Sequence, residues 1–164
     1  MALLPAPDIY GYTIFCDDIR QEFDGKFFLI GVYSGVMIVH IPFPAKLPTF
    51  AMRATVFQRK KIFIPKVTLR VLLPGENEDT ASIQIEAGET MEGAIVAATS
   101  AEVDSLYPDT QIPNEDRYVS LHANMKFVQF EIKQPGVMKV RAVVGDNIVR
   151  LGGIRISPPP QAST

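Results

Sequence analysis

Two adjacent carboxylates, Asp17-Asp18, with Glu22 and Asp24 a few residues on, are the first residues of this chain whose types and spacing could do chemistry. Clustered carboxylates can hold a hard cation or act as a general acid and base pair, the latter giving a hydrolase built on Asp17, Asp18 and a partner from elsewhere. A plainer account competes with this. Asp18, Arg20 and Glu22 share a parity, so on an extended strand they form a column of alternating sign, stabilised by its own neighbours and by water. Surface charge pairs of this kind are common and weak.

Two further acids complete the candidate metal set of Asp17, Asp18, Asp79 and Asp146: Asp79 closes the run Glu76 to Asp79, and Asp146 precedes Asn147. In composition these loops resemble those with which calcium-dependent C2 sandwiches hold ions at one end. Calcium needs roughly six to eight oxygens converging from several loops. Asp, Asn and Gly are also what ordinary turns prefer. His40 and His122 lie far apart without a spaced Cys or His companion, which excludes a zinc site of standard local spacing. Cys16 follows the apolar run Tyr12-Thr13-Ile14-Phe15, where a thiolate is disfavoured, so it reads as buried and inert rather than as a nucleophile. Gly31 and Gly152-Gly153 precede no helix and form no phosphate loop. No cofactor is expected. Arg59-Lys60-Lys61, with Arg53 and Lys66, is the only basic concentration in the linear sequence and reads as a solvated hairpin tip.

The elements that position these residues are strands. The chain has 164 residues, 47% of them hydrophobic and 21% charged, which suits one globular domain with its own core. A formal net charge of -2 gives no footprint for nucleic acid. A single cysteine fits a reducing, cytoplasmic setting. The opening residues lack the basic start and apolar stretch of a secretory signal, and no segment reaches the roughly 20 apolar residues of a membrane span. The expected organisation is an N-terminal tail over 1–8, one domain over 9–156, and a proline-rich tail over 157–164.

Asp24-Gly25 predicts a two-residue type I′ hairpin between Ile9 to Phe23 and Lys26 to Tyr33, with Gln21 opposite Phe28 and Asp17 opposite Val32. The apolar second arm reads as a central strand covered on both faces. Val36 to Ile41 is the next strand. Three prolines in Pro42 to Pro48 predict a crossover between sheets. Phe50, Met52, Ala54 and Val56 alternate with Ala51, Arg53, Thr55 and Phe57, and similar alternation marks Val67 to Val71, Ser82 to Glu86, Val128 to Lys133 and Met138 to Val144. Met125 and Phe127 have the opposite parity to Val128 and Phe130, which predicts a bulge near Phe127. Gly145-Asp146-Asn147 predicts a second hairpin and Gly152-Gly153 a bulge. Met91 to Ala101 is alanine-rich and is read as one short helix, against its β-branched Ile95-Val96. Leu106 to Asp109 and Ile112 to Asp116 read as loops.

The fold class is therefore all-β: an antiparallel β-sandwich of the immunoglobulin-like kind with at most one short helix, although the immunoglobulin disulfide and tryptophan are both absent. Phe15-Cys16-Asp17-Asp18-Ile19-Arg20, Gly25-Lys26 and Leu29-Ile30-Gly31-Val32-Tyr33 carry a "CDDIR…GK…LIGVY" pattern. In these residues the chain resembles a family of uncharacterised bacterial proteins. The resemblance extends more loosely to Val67 to Val71 and Arg150 to Ile156. It implies a bacterial single-domain β protein of unknown function and carries over no catalytic residue.

The expected function is that of a non-enzymatic structural or protein-interaction module. The alternative is cation-dependent ligand or membrane-surface binding through acidic loops; the hydrolase is the third reading. A protein partner or a homo-oligomer is expected through an exposed strand or sheet face, with the closing strand Ile148 to Ile156 as candidate. Pro42, Pro44, Pro48, Lys60 and Lys61 would blunt other edges.

Overall fold

The computed structural model describes residues 7–86, 94–102 and 117–160. The predicted loops at Leu106 to Asp109 and Ile112 to Asp116 lie outside them. In chain order the strands are β1 (Ile9–Cys16), β2 (Asp18–Gln21), β3 (Phe27–Ile30), β4 (Val36–Ile38), β5 (Ala45–Arg59), β6 (Val67–Leu72), β7 (Ile83–Glu86), β8 (Ala94–Glu102), β9 (Tyr118–Ile132), β10 (Gly136–Val144) and β11 (Asn147–Ser157). A single 3-10 turn covers Lys60–Ile62, and the described residues contain no α-helix. The described part of Met91 to Ala101 is strand β8, not helix. β-branched Ile95, Val96 and Thr99 favour a strand and outweigh the local alanine content.

Three sheets form, ordered β1-β5-β9-β8, β4-β11-β10-β6-β7 and β2-β3. The first is antiparallel throughout. The second is mixed, because β4 runs parallel to β11 while its other pairs are antiparallel. Inward side chains of the two large sheets meet in one buried cluster: Phe50, Met52, Met125 and Ile132 from one, Leu69, Met138, Leu151 and Ile154 from the other. Within it Phe50 stacks on Phe130 at 5.1 Å between ring centroids, and Phe130 meets Phe127 at 5.0 Å.

The hairpin at Gly25 is shorter and differently registered than its sequence suggests. Gln21 pairs with Phe27 and Asp18 with Ile30, one residue away from a two-residue turn. Glu22 and Lys26 close a three-residue loop, with Gly25 N–H donating to Glu22 at 3.1 Å. Gly25 alone of the loop has positive φ, +82°, so the turn is a type I turn completed by a left-handed glycine rather than type I′. Nor does β3 become a central strand. Among the described residues it pairs only with β2, and Phe28 and Ile30 are exposed.

The long arm also divides at Asp17. β1 stays with β5, while β2 and β3 fold as a ribbon over the outer face of the four-stranded sheet, with the Arg53 guanidinium 4.9 Å from the Phe27 ring centroid.

Residues 39–44 do cross from one large sheet to the other, but β5 already includes Pro48. Pro48 is tolerated because β1 pairs with β5 only from Ala51 onward, so β5 is an edge at the proline. Opposite it, Gln129 has a φ of +55°, and both strands change parity there without losing register. Met125, Phe127, Phe130 and Ile132 all face the core, while Val128 is exposed. The parity change therefore falls at Gln129 rather than at Phe127.

Lys60 to Lys66 is a crossover as well, not a hairpin tip, since β5 and β6 belong to different sheets. Buried Gln58 anchors it: its Nε2 donates to Ile64 O at 3.0 Å, and its Oε1 accepts from Ile64 N–H at 2.9 Å. Both backbone groups of Ile64 thereby find the partners that burial demands.

Candidate functional site

Asp17 and Asp18 point to different partners. Asp17 leaves β1 as an exposed residue, and its Oδ1 accepts from the Tyr33 hydroxyl. Its N–H donates to Ile30 O at 2.9 Å, so carboxylate and backbone together fasten β3 to the end of β1. Asp18, from β2, accepts from Lys126 Nζ at 2.6 Å and from Arg20 Nε at 3.1 Å. Lys126 holds the Asp18 carboxyl below its ordinary range, with Arg20 adding to the effect. The Asp18–Arg20 column read from the sequence exists, and Lys126 of β9 extends it to the sheet. Each carboxylate is engaged by the fold's own donors.

Cys16 is fully buried beside Ala51. Burial, reinforced by the neighbouring Asp17 and Asp18, pushes its thiol up to about 11. Tyr33 is raised too, by burial first and then by its bond to Asp17. On the same outer face Thr55 Oγ1 meets His122 Nδ1 at 3.1 Å, and Arg53 donates to Asn124 Oδ1 at 2.8 Å. Burial lowers His122, and the Arg53 charge lowers it further. His40 is exposed on the crossover before β5.

Asp79 and Asp146 do not meet. Asp79 belongs to the loop between β6 and β7, which adjoins the start of β10 through Gln134 Nε2 donating to Pro74 O at 3.1 Å. Asp146 sits in the two-residue turn at the far end of β10, where Val144 pairs with Asn147. The neighbouring Glu78 reaches Arg141, midway along β10, at 2.8 Å, so the loop extends over the middle of the strand while Asp146 stays in the turn at its far end. Among the described residues no three His, Cys, Asp or Glu side chains gather as a metal ion requires.

Two surface features escape a linear reading. The first is apolar. Of 13 exposed large hydrophobic residues among those described, seven fall between Phe23 and Ile41: Phe23, Phe28, Ile30, Val32, Val36, Ile38 and Ile41. Phe23 stands wholly in solvent at the hairpin loop. The run is visible in the sequence, where it looks like core; only the ribbon's outward placement makes it surface.

The second is basic. Arg150, Arg141 and Arg70 lie directly opposite one another on β11, β10 and β6, with Gln84 of β7 closing the row. The bulge at Gly152 creates this alignment. Lys139 pairs with Gly153 and Arg141 with Arg150, so β10 advances two residues while β11 advances three. Gly152 takes the extra position at a φ of +99°. Leu151 and Ile154 then both enter the core, and Arg150 comes to face outward beside Arg141. The three arginines are up to 80 residues apart in sequence, and no local charge run announces them.

No helix among the described residues is long and apolar enough to cross a membrane. Comparison of the chain with protein-family models, curated proteins and solved structures yields no match.

Proposed function

We propose that this chain is a non-enzymatic protein-interaction module, a β-sandwich of the immunoglobulin-like kind, whose contact is with a second copy of itself along Phe23 to Ile41. The observation that carries the reading is the concentration of exposed apolar side chains there. Leaving so many apolar side chains of one segment in water is unfavourable, because burying apolar surface is favourable by about 25 cal/mol per Å². The ribbon adds a second means of contact. Among the described residues β2 and β3 pair only with each other, so the outer edge of β3 offers unpaired backbone groups beside Phe28 and Ile30. An edge of this kind pairs readily with its own copy about a two-fold axis.

The sandwich reading draws support from strand order. With β1, β5, β6, β8, β9, β10 and β11 lettered A to G, the ribbon and β4 fall between A and B, and β7 follows C. The sheets then contain A-B-E-D and G-F-C runs, the arrangement of immunoglobulin domains. A reducing, cytoplasmic setting draws support from Cys16, a free buried thiol. Cation-dependent binding has less support, since among the described residues no three His, Cys, Asp or Glu side chains gather. A hydrolase built on Asp17 and Asp18 would first have to free them from Tyr33, Arg20 and Lys126.

The expected contact strand Ile148 to Ile156 lies in β11, which is paired on both sides at Arg155 and Ile156, by β10 and by β4, and among the described residues pairs with β10 alone from Ile148 to Ile154. The ribbon is preferred to this edge because the exposed apolar side chains concentrate there. Light scattering across a dilution series tests the proposal. A concentration-dependent dimer is expected, and a monomer up to hundreds of micromolar would overturn it.

A further inference from the structure

The arginine row on the five-stranded sheet is a candidate ligand site separate from the apolar segment. Like charges directly opposite one another on neighbouring strands destabilise a sheet, and here three stand in line: Arg150, Arg141 and Arg70. Neighbouring strands are about 4.8 Å apart, so each pair of guanidinium groups can reach a common acceptor. Lys139 and Arg155 stand exposed on flanking outward positions of β10 and β11. The strand acid nearest the row, Glu86, sits beyond Thr68 on β7 and pairs with Lys66 at 2.7 Å. The sheet face is therefore basic in a chain whose formal net charge is -2.

One acid does enter the row. Glu78, from the loop between β6 and β7, places Oε1 2.8 Å from Arg141 Nε. Arg141 is itself buried, and it also donates to Val140 O at 3.0 Å. The pairing is incomplete. Glu78 Oε2 and Arg70 Nε are both buried without a hydrogen-bond partner. A single carboxylate thus engages one of the three arginines, Arg141, while Arg70 Nε keeps unmet donor capacity and Arg150 is exposed.

We infer that this row is a binding site for the carboxylates of an acidic peptide segment, with Glu78 as the chain's own carboxylate holding part of it. Charge complementarity gives the chemistry: guanidinium forks grip carboxylates with two parallel bonds. The anion the row already takes is a carboxylate carried on a loop, which points to a peptide ligand rather than to a nucleic acid. An incoming acidic side chain would bridge Arg70 and Arg150 and compete with Glu78 for Arg141. The inference does not depend on self-association through the ribbon.

The test is calorimetric titration of the full chain with hexaglutamate in low salt. Arms with inorganic phosphate and with a single-stranded oligonucleotide of equal charge separate the anion classes. Arg150→Gln removes an exposed charge without disturbing the core, and about 1 kcal/mol for a well-placed pair corresponds to roughly fivefold weaker binding. Glu78→Gln keeps an oxygen acceptor for Arg141, removes the competing charge and should tighten hexaglutamate several-fold. Unchanged melting temperatures would establish that both variants fold. Absence of hexaglutamate binding in both the native chain and Glu78→Gln would overturn the inference. So would equal binding by Arg150→Gln, or tighter binding of the oligonucleotide or of phosphate than of hexaglutamate.

Discussion

Asp18 of the ribbon and Lys126 of the four-stranded sheet meet at 2.6 Å across 108 residues of sequence. This ion pair fastens the ribbon over the sheet, and through the ribbon it sets where Phe28 and Ile30 emerge. Lys126 holds the Asp18 carboxyl below its ordinary value of 3.8. A carboxyl depressed in the folded state stabilises it above the unfolded value, and the contribution is lost as pH falls through the folded one. In Lys126→Met the loss of melting temperature on acidification below pH 4 should be shallower than in the native chain. A thermal melt series from pH 5 to pH 2 measures it; identical slopes would dissociate Lys126 from Asp18.

The ribbon's two glycines should respond unequally to substitution. Gly25 has φ +82° with open space around it, so Gly25→Val should cost on the order of 1 kcal/mol, from backbone strain alone. Gly31 has φ +66°, and a Cβ there would fall 1.9 Å from Asp17 Oδ2. Gly31→Ala should therefore cost more, about 2–3 kcal/mol, because it also displaces Asp17 from Tyr33. Chemical denaturation of both variants gives the comparison, and equal costs would contradict it.

Cys16 should react with a thiol reagent only after denaturation, since burial denies access and holds the thiol up to about 11. The sign of the pH effect follows. An acid raised in the folded state favours folding below the unfolded value of 9.0, and that stability is lost as pH rises toward about 11. Tyr33, also raised, adds to the same alkaline loss. Melting temperature should fall above pH 9, less steeply in Cys16→Ala, and rapid labelling of the native protein would refute the burial of Cys16.

Calcium at millimolar concentration should leave the melting temperature unchanged, because Asp17 and Asp18 are engaged and no three His, Cys, Asp or Glu side chains gather among the described residues. A ligand selective for the folded state must raise it. A rise of several degrees would revive the acidic-loop reading.

Much of the architecture was legible because it rests on local signals. Alternation placed Phe50 to Val56 and Met138 to Val144 on the core face, Gly145-Asp146 formed a hairpin between Val144 and Asn147, and Gly152 formed the bulge. What escaped depended on distant partners. The apolar run Phe27 to Val32 reads as interior, and only the break at Asp17, which detaches β2 from β1, turns it outward. The hairpin slipped by one residue because Asp-Gly also suits a three-residue loop, with Gly25 left-handed and Asp24 not. Met91 to Ala101 carried helix-forming alanines, but pairing with β9 decided the state of its described part. Asp17, Asp18, Asp79 and Asp146 were visible as acids; their different partners were not, since those depend on how the ribbon and the loops fold over the two sheets. The arginine row was invisible, because its members become neighbours only through cross-strand register.

The central claim, association through the Phe23 to Ile41 face, is tested most directly by sedimentation equilibrium of the native chain beside the double variant Phe28→Lys, Val32→Lys. Both side chains are exposed, so neither change disturbs the core, and equal melting temperatures would establish that the fold is kept. Burying a Phe or Val side chain contributes about 1.5–3 kcal/mol, so the variant's dimer should be at least about tenfold weaker. A native dimer that dissociates in the variant is the predicted result; a native monomer, or a dimer of equal strength in both, would contradict the account.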